Sequence, residues 1–346
     1  MHIDCPSPSH LQTIWIAECF SCQFDLIQLI KQHPQLQQLR VISSHTQQRP
    51  ELAQVSDLHI QQPAIAESAL WLLEQCQRHQ VRLLFCGKKS VHIEKEREKF
   101  NQANIQLITG SIGVHQHHLI EDKYAFFQAC QQQNFPITPA IQVNDAHALT
   151  DAIAQLKIHY DSLCVKPVVG VYGFGFCRLK DDVSYFRHFE DPLVCQTQQF
   201  ITAYASEAQP RPYLVMPYLS GVECSVDIAC SQGDVLSQVT RIKHQGYQHC
   251  LVDGPCHAIT TQLVRHFMCD GLVNVQLKQN ALGEWFILEI NNRPAGGFAY
   301  TQHTGINLIA DLIAHKLQIE ITPNPIQPTT WVRPMTTPFA VEFETP

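Results

Sequence analysis

Trp285-Phe286-Ile287-Leu288-Glu289-Ile290-Asn291-Asn292-Arg293-Pro294-Ala295-Gly296-Gly297 joins an apolar run of strand length to a polar end. Successive side chains of a strand point to opposite faces, so Glu289, Asn291 and Arg293 fall on one side. Two hard oxygen ligands beside a fixed cation suit a metal-bound phosphate better than a hydrophobic core. A strand running out into a polar surface loop would carry the same residues, so the flanking chain decides.

Upstream, residues 272–278 form an expected strand with Asn274, Gln276 and Lys278 on one face. A turn around Leu282-Gly283 returns the chain into the opening stretch, which places Gln276 and Glu289 on paired strands of one hairpin. Three oxygen donors, Gln276, Glu289 and Asn291, then come within reach of one cation. A helix is expected over 262–270, stopped by Gly271. Earlier still, residues 223–229 alternate polar and apolar, with Glu223, Ser225 and Asp227 on one face. Gln232-Gly233-Asp234 reads as a hairpin turn into 235–243, where Arg241 and Lys243 share a face. Residues 213–219 make a nearly continuous apolar strand interrupted by Pro217, and Gly221 marks a turn.

Ser162-Leu163-Cys164-Val165-Lys166-Pro167 is a short strand closed by a lysine. Such a lysine either reaches an anion or snorkels to water. Val168-Val169-Gly170-Val171-Tyr172-Gly173-Phe174-Gly175-Phe176 follows at once. Glycines at this density free backbone N–H groups to turn toward a phosphate, although hairpin turns use the same residues. The loop lacks the Lys-Ser/Thr ending of a Walker motif. Before it, a helix carries 123–130, Phe135-Pro136-Ile137-Thr138-Pro139 breaks it, and a second helix places Leu149, Ile153 and Leu156 on one face. Asn144 or Asp145 is the expected cap.

The first hundred residues alternate strands, at 13–17, 40–42, 58–60, 82–86 and 105–108, with helical patterns. Phe20, Phe24, Ile27 and Ile30 fall on one helical face, and Ile65, Ala69, Leu72 and Cys76 on another. This alternation argues for an open parallel sheet flanked by helices. No GxGxxG follows the first strand, so a dinucleotide fingerprint is lacking.

A chain of 346 residues with 45% hydrophobic residues supports two or three domains. No run approaches the roughly 20 apolar residues needed to span a bilayer, and Met1-His2-Ile3-Asp4 does not open a signal peptide. A net charge of −7 without a basic run excludes nucleic acid as the main partner. The 14 cysteines are scattered, many within apolar patterns (Cys76, Cys86, Cys164, Cys230), which favours reduced, buried thiols and a cytoplasmic location. Cys19-Phe20-Ser21-Cys22 has redox or half-zinc spacing but no second pair. His115-Gln116-His117-His118 offers metal ligands without a partner cluster and reads as a polar loop.

In this order the motifs resemble the ATP-grasp superfamily: Glu121-Asp122-Lys123, Val165-Lys166-Pro167 with its glycine loop, residues 214–227, then Asn274-Val275-Gln276 to Arg293. The resemblance covers about residues 10–318 and is strongest over 160–300. The kin it points to are carbamoyl-phosphate-synthase-like and carboxylate–amine ligase members, including an ATP-grasp group of tellurite-resistance clusters. It implies an α/β fold, α+β in the catalytic part. A pre-ATP-grasp domain at 1–114 precedes an ATP-grasp domain at 115–318, subdivided at 212/213, and a tail fills 319–346.

The resemblance also assigns roles. Lys123 and Lys166 match the cations that hold ATP phosphates, and Gly170, Gly173 and Gly175 the mobile loop over them. Val215, Met216, Pro217, Tyr218 and Leu219 match the adenine hinge, and Glu223 the acid near the ribose. Gln276, Glu289 and Asn291 match the magnesium ligands, for which Mn2+ is a substitute, and Arg293 the cation facing the transferred phosphate. Arg241, Lys243 or Arg293 would stabilise an oxyanion. Met216-Pro217 stands where many members have Glu, and Gln276 and Asn291 are neutral where many have acids. The implied activity is an ATP- and magnesium-dependent joining of a small carboxylate to an amine or thiol through an acyl phosphate. Phosphorylation of bicarbonate or carbamate, and ATP binding without catalysis, are the alternatives. The resemblance also allows a homodimer.

Overall fold

The structure is a computed structural model that describes residues 12–19, 21–170, 173–336, 338 and 340. The opening Met1–Asp4, Phe20 of the first helical face, Val171 and Tyr172 of the glycine loop, and the tail beyond 340 lie outside the described residues.

Residues up to 111 form β1 (Thr13–Ile16), α1 (Gln23–Lys31), β2 (Arg40–His45), β3 (Leu58–Gln61), α2 (Ile65–Arg78), β4 (Val81–Phe85), α3 (Val91–Glu94), α4 (Arg97–Gln102), β5 (Gln106–Ile108) and β6 (Gly110–Ser111). Then come α5 (Val114–Glu121), α6 (Lys123–Gln132), β7 (Ile141–Val143), α7 (Ala146–Lys157), β8 (Leu163–Pro167), β9 (Cys177–Lys180), α8 (Arg187–Glu190), β10 (Val194–Gln196), α9 (Thr197–Ser206) and β11 (Tyr213–Pro217). The rest is β12 (Glu223–Ser231), β13 (Asp234–His244), β14 (Tyr247–Leu251), α10 (His257–His266), β15 (Cys269–Gln279), β16 (Trp285–Asn291), α11 (Leu308–Leu317) and β17 (Thr329–Val332). Two compact units result, both discontinuous in sequence. The first gathers 1–117, 224–275 and 290–346, and the second 118–223 and 276–289.

In the first unit the expected parallel sheet has the order β3-β2-β1-β4-β5. Every residue of β1 is buried. Ile14 and Ile16 face one core with α1 and α11, whereas Trp15 faces another with Leu72, Cys76 and Phe100. Burial on both faces is what a parallel sheet covered by helices requires of its central strand. A second sheet runs β16-β15-β12-β13-β14-β17, with β6 joined to β15. The expected hairpin at Gln232-Gly233 forms, with φ of +53° and +87° at these residues.

The second unit holds a sheet of order β10-β9-β8-β11-β7. Helix α7 lays Leu149, Ile153 and Leu156 on it, beside Val165 and Val215. Of the two candidate caps Asp145 is used, accepting from the Ala148 N–H at 2.8 Å. The turn before β16 is closed by Asn280, whose Oδ1 accepts from Leu282 and Glu284 N–H groups at 2.9 Å each.

The helix expected over 262–270 is displaced. It occupies His257–His266 with Phe267 as C-cap, and Met268 just beyond lies in the left-handed region with φ +48°. Gly271 does not stop a helix but lies within β15 at φ +143°, where a Cβ would come 2.8 Å from Ile108 Cγ2. The glycine serves close approach between strands, a long-range need that mimics a helix stop in sequence. Residues 247–251, which carry no decisive pattern, form β14, and the tail contributes β17 beside it. His115–His118 lies in α5 rather than in a loop.

Gly271→Ala should lower the unfolding free energy by about 1–3 kcal/mol, because φ and space both oppose a Cβ. Urea unfolding monitored by circular dichroism checks this. A midpoint equal to that of the parent would show that β15 shifts freely.

Candidate functional site

In the second unit β8 and β11 pair antiparallel, with Lys166 opposite Leu214 and Cys164 opposite Met216. That face of the sheet carries an apolar cluster of Cys164, Leu214, Met216, Phe127 and Val168. Lys166 therefore rises from apolar surface and must find polar partners at its tip. Its Nζ donates to the Leu288 carbonyl at 3.2 Å. Burial pushes its pKa below the usual lysine value, the Glu289 charge draws it back up, and Lys123 opposes it. Lys123 and Glu289 are thus both within electrostatic reach of Lys166.

Lys123 opens α6, whose N-cap Asp122 accepts from the N–H groups of Tyr124 and Ala125 at 2.9 Å each. Its own N–H donates to the Val168 carbonyl at 3.1 Å. Its Nζ donates to the Gly170 carbonyl at 2.7 Å, which ties it to the glycine loop. Gly173 and Gly175 have φ of +66° and +80°. Space also demands Gly175, since a Cβ there would meet Pro167 Cγ at 2.7 Å. Gly170 is not demanded by space, because a Cβ would find its nearest atom at 3.8 Å.

Val215, Met216, Pro217 and Leu219 are buried, and Tyr218 is half-buried. The Tyr218 N–H donates to the Ser162 carbonyl at 2.8 Å. Arg178 and Lys278 each lie 5.0 Å from its ring centroid, and Lys278 Nζ is 4.0 Å from the Glu223 carboxylate. Arg178 has no local sequence signal for this position, whereas Lys278 shares the strand face of Gln276. Gln276 and Glu289 sit half-buried on neighbouring strands β15 and β16. Asn291, also half-buried, ends β16 two residues on.

The first unit carries the other candidates. Arg241 is 2% exposed, donating from Nε to Asp227 and from Nη1 to Gln248. Asn274 Nδ2 donates to the other Asp227 oxygen at 2.9 Å. Gly297 makes room for the guanidinium, since a Cβ there would lie 2.8 Å from Nη1. Lys243, two residues on, is exposed. Arg293 lies near Cys22, whose thiol burial and Asp25 push up to about 12 against the Arg293 charge. Cys19 is equally buried and donates from Sγ to the Ala17 carbonyl at 3.3 Å, so the Cys19/Cys22 pair forms part of the core. Within the histidine run, His117 is fully buried, 3.0 Å from the Ser111 carbonyl, while His115 and His118 are exposed.

One polar group escaped sequence reasoning altogether. Glu18, just past β1, is 3% exposed and bonded to Lys88 from the end of β4, with His45 of β2 at 3.6 Å. Burial alone would raise its carboxyl, but Lys88, Thr46 and His45 together hold it below the usual range. The cluster stands at the carboxyl ends of the strands where the sheet order reverses, the usual ligand position of such sheets. Its one local signal is an acid directly after a buried strand.

Residues 209–338 match the family described as ATP-grasp in the biosynthetic pathway with Ter operon. No curated protein sequence matches the chain. Among solved structures it is similar to N5-carboxyaminoimidazole ribonucleotide synthetase in an ADP complex. Identity is 15% over 93% of this chain and 81% of that one, with a TM-score of 0.66. Against Campylobacter jejuni biotin carboxylase in a β-γ-ATP complex the values are 14%, 91%, 72% and 0.63. Against the biotin carboxylase domain of Hydrogenobacter thermophilus 2-oxoglutarate carboxylase, with MgADP and bicarbonate, they are 11%, 88%, 69% and 0.62. At such identities the likeness shows the fold. The family match itself is carried by residues 209–338 and falls within the ATP-grasp superfamily.

Two outcomes follow from the electrostatics. Asp227→Ala strands the buried Arg241 charge and should cost about 3–5 kcal/mol in chemical unfolding, against near-parent stability if water reaches the guanidinium. Glu289→Gln removes the charge that raises the Lys166 pKa, so that pKa should fall further. Because the folded pKa lies below the unfolded one, Lys166 disfavours folding at pH below its folded value. That penalty fades as pH climbs toward the ordinary lysine value. Mass spectrometry of Lys166 acylation against pH would show the shift, and an unmoved profile would remove Glu289 as the partner.

Proposed function

We propose that the chain is an ATP- and magnesium-dependent ligase that joins a small carboxylate to an amine or thiol. The observation that carries the reading is the grouping of Lys123, Lys166 and Glu289 beside the glycine loop. In this reading residues 115–318 form the ATP-grasp part, 1–114 the preceding domain and 319–346 a tail. Action in the cytoplasm and a homodimer remain part of the proposal.

Gln276, Glu289 and Asn291 offer one carboxylate and two amide oxygens, a hard donor set that fits Mg2+, with Mn2+ as a substitute. When bound, the metal would neutralise phosphate charge and hold the terminal phosphate in line. Lys123 and Lys166 would bind the phosphate oxygens. Lys166, its pKa already lowered by burial, would gain charge stabilisation when an anion arrives. Gly170, Gly173 and Gly175 would cover the phosphates and exclude water. The hinge residues Val215, Met216, Pro217, Tyr218 and Leu219 would flank adenine, with Glu223 at the ribose.

A carboxylate oxygen of the substrate attacks the terminal phosphorus, and ADP leaves. The amine then attacks the acyl carbon, the phosphate departs with the bonding electrons, and the amine releases a proton to solvent or base. Arg293 and Lys243 would meet the oxyanion. Arg241 would act by positioning, since Asp227 and Gln248 already engage its Nε and Nη1. Similarity to carboxylases whose complexes hold ADP or bicarbonate supports a second reading, in which bicarbonate takes the phosphate.

ADP release should require Mg2+ and rise on adding an organic acid. Glu289→Ala and Lys166→Ala should each reduce it by about 100- to 1000-fold. Turnover with bicarbonate alone would select the second reading. ATP protection against thermal unfolding without ADP release would leave a non-catalytic binder, and Glu289→Ala indistinguishable from the parent would overturn the site.

A further inference from the structure

Just past the glycine loop, whose Gly175 precedes Cys177 by two residues, the second unit gathers a cluster of soft ligands. Cys177 opens β9, Cys195 lies on the adjacent β10, and His188 sits on α8 between them. One donor atom from each lies within 4.8 Å of the other two. Bonds of about 2.3 Å to sulfur and 2.0 Å to nitrogen put ligand atoms of a tetrahedral zinc site roughly 3.3–3.8 Å apart. Shifts of about an ångström would therefore close the set.

Two further observations point the same way. His188 Nδ1 lies 3.0 Å from the Val194 carbonyl and donates its proton there. That tautomer leaves the Nε2 lone pair for a ligand, and an N–H held by a carbonyl is the usual support of a metal-bound imidazole. The second concerns what holds the segment. Helix α8 buries none of its residues, and Tyr185, Phe186, Phe189 and Leu193 around it are all at least half exposed. Apolar burial does not fix the stretch, whereas a bond from His188 to two strand cysteines would. Cys177 is buried, Cys195 half-buried and His188 exposed, so an ion has access from the histidine side.

We propose that Cys177, His188 and Cys195 form a zinc site with solvent as the fourth ligand, built from residues other than those assigned to magnesium and ATP. Two thiolates and a neutral imidazole are a soft set suited to Zn2+ and unsuited to Mg2+. Burial pushes the Cys177 thiol up to about 12 and raises Cys195, so both are thiols before the ion arrives. Each Zn2+ then displaces two thiol protons, and the complex is neutral. The bound ion would pin α8 to the strand that carries Arg178, the cation over the Tyr218 ring.

The test is zinc titration of the reduced full-length chain by calorimetry in two buffers of different ionisation enthalpy. One ion should bind with release of about two protons. Co2+ in its place should give thiolate-to-metal absorption. Cys177→Ser with Cys195→Ser should abolish both signals. His188→Asn, at an exposed position that leaves folding intact, should weaken binding at least as much as the roughly 10- to 100-fold lost with outer-shell partners. Zinc bound equally by these variants would overturn the proposal. So would a reduced parent that binds none.

Discussion

A lysine ammonium carried on an apolar sheet face, and held there against a carboxylate from a distant strand, organises the second unit. Lys166 stands on the face of Cys164, Leu214 and Met216, where burial disfavours its charge. The Glu289 charge and the Leu288 carbonyl offset that penalty. Both come from residues 276–289, which join this unit only after the chain has built 224–275 into the other. A cation kept charged by a neighbour, yet short of full compensation, is poised to accept an anion. The same carboxylate thus bears on the charge of Lys166 and, in the proposed function, on anion binding.

Arg241 shows the opposite solution to a buried cation. Asp227 neutralises it, Asn274 satisfies the second carboxylate oxygen, and Gln248 takes a further donor. Charges bonded in this way stabilise geometry and have little left to offer a substrate. The contrast divides labour among the basic residues of the chain: Lys166 is kept receptive, and Arg241 holds β12 against β13. Pairing of this kind also accounts for an arginine in a strand whose neighbours are buried.

What was legible in the sequence follows from what short-range patterns encode. The strands of the parallel sheet declare themselves as short apolar runs, and the helices at 65–78 and 146–157 by a period of 3.6. The lysine–glycine segment and the Gln276–Glu289 hairpin are likewise local. The helix expected at 262–270 failed because Gly271 answers to Ile108, far away in sequence. Strand β14 pairs with β13 as well as with β17 of the tail, but Tyr247-Gln248-His249-Cys250-Leu251 carries no clear alternation to announce it. Glu18 with Lys88, and Cys177 with His188 and Cys195, arise from neighbouring strands whose register no local pattern states. A histidine eleven residues after one cysteine and seven before the next matches no compact motif.

The neutral Gln276 and Asn291 are best understood through charge. Bound Mg-ATP would carry about two net negative charges, which Lys123 and Lys166 would offset, leaving Glu289 as the one acid among the proposed metal ligands. A second carboxylate there would repel the phosphates and draw on the same lysines. It would also pull the Lys166 pKa upward before nucleotide binds, so that less of its charge stabilisation would be gained on binding. Amide oxygens supply the same hard ligand atoms without that competition. In the proposed site, whose principal cation stands on apolar surface, two amides and one acid would keep the protein's own charge low until the phosphate arrives.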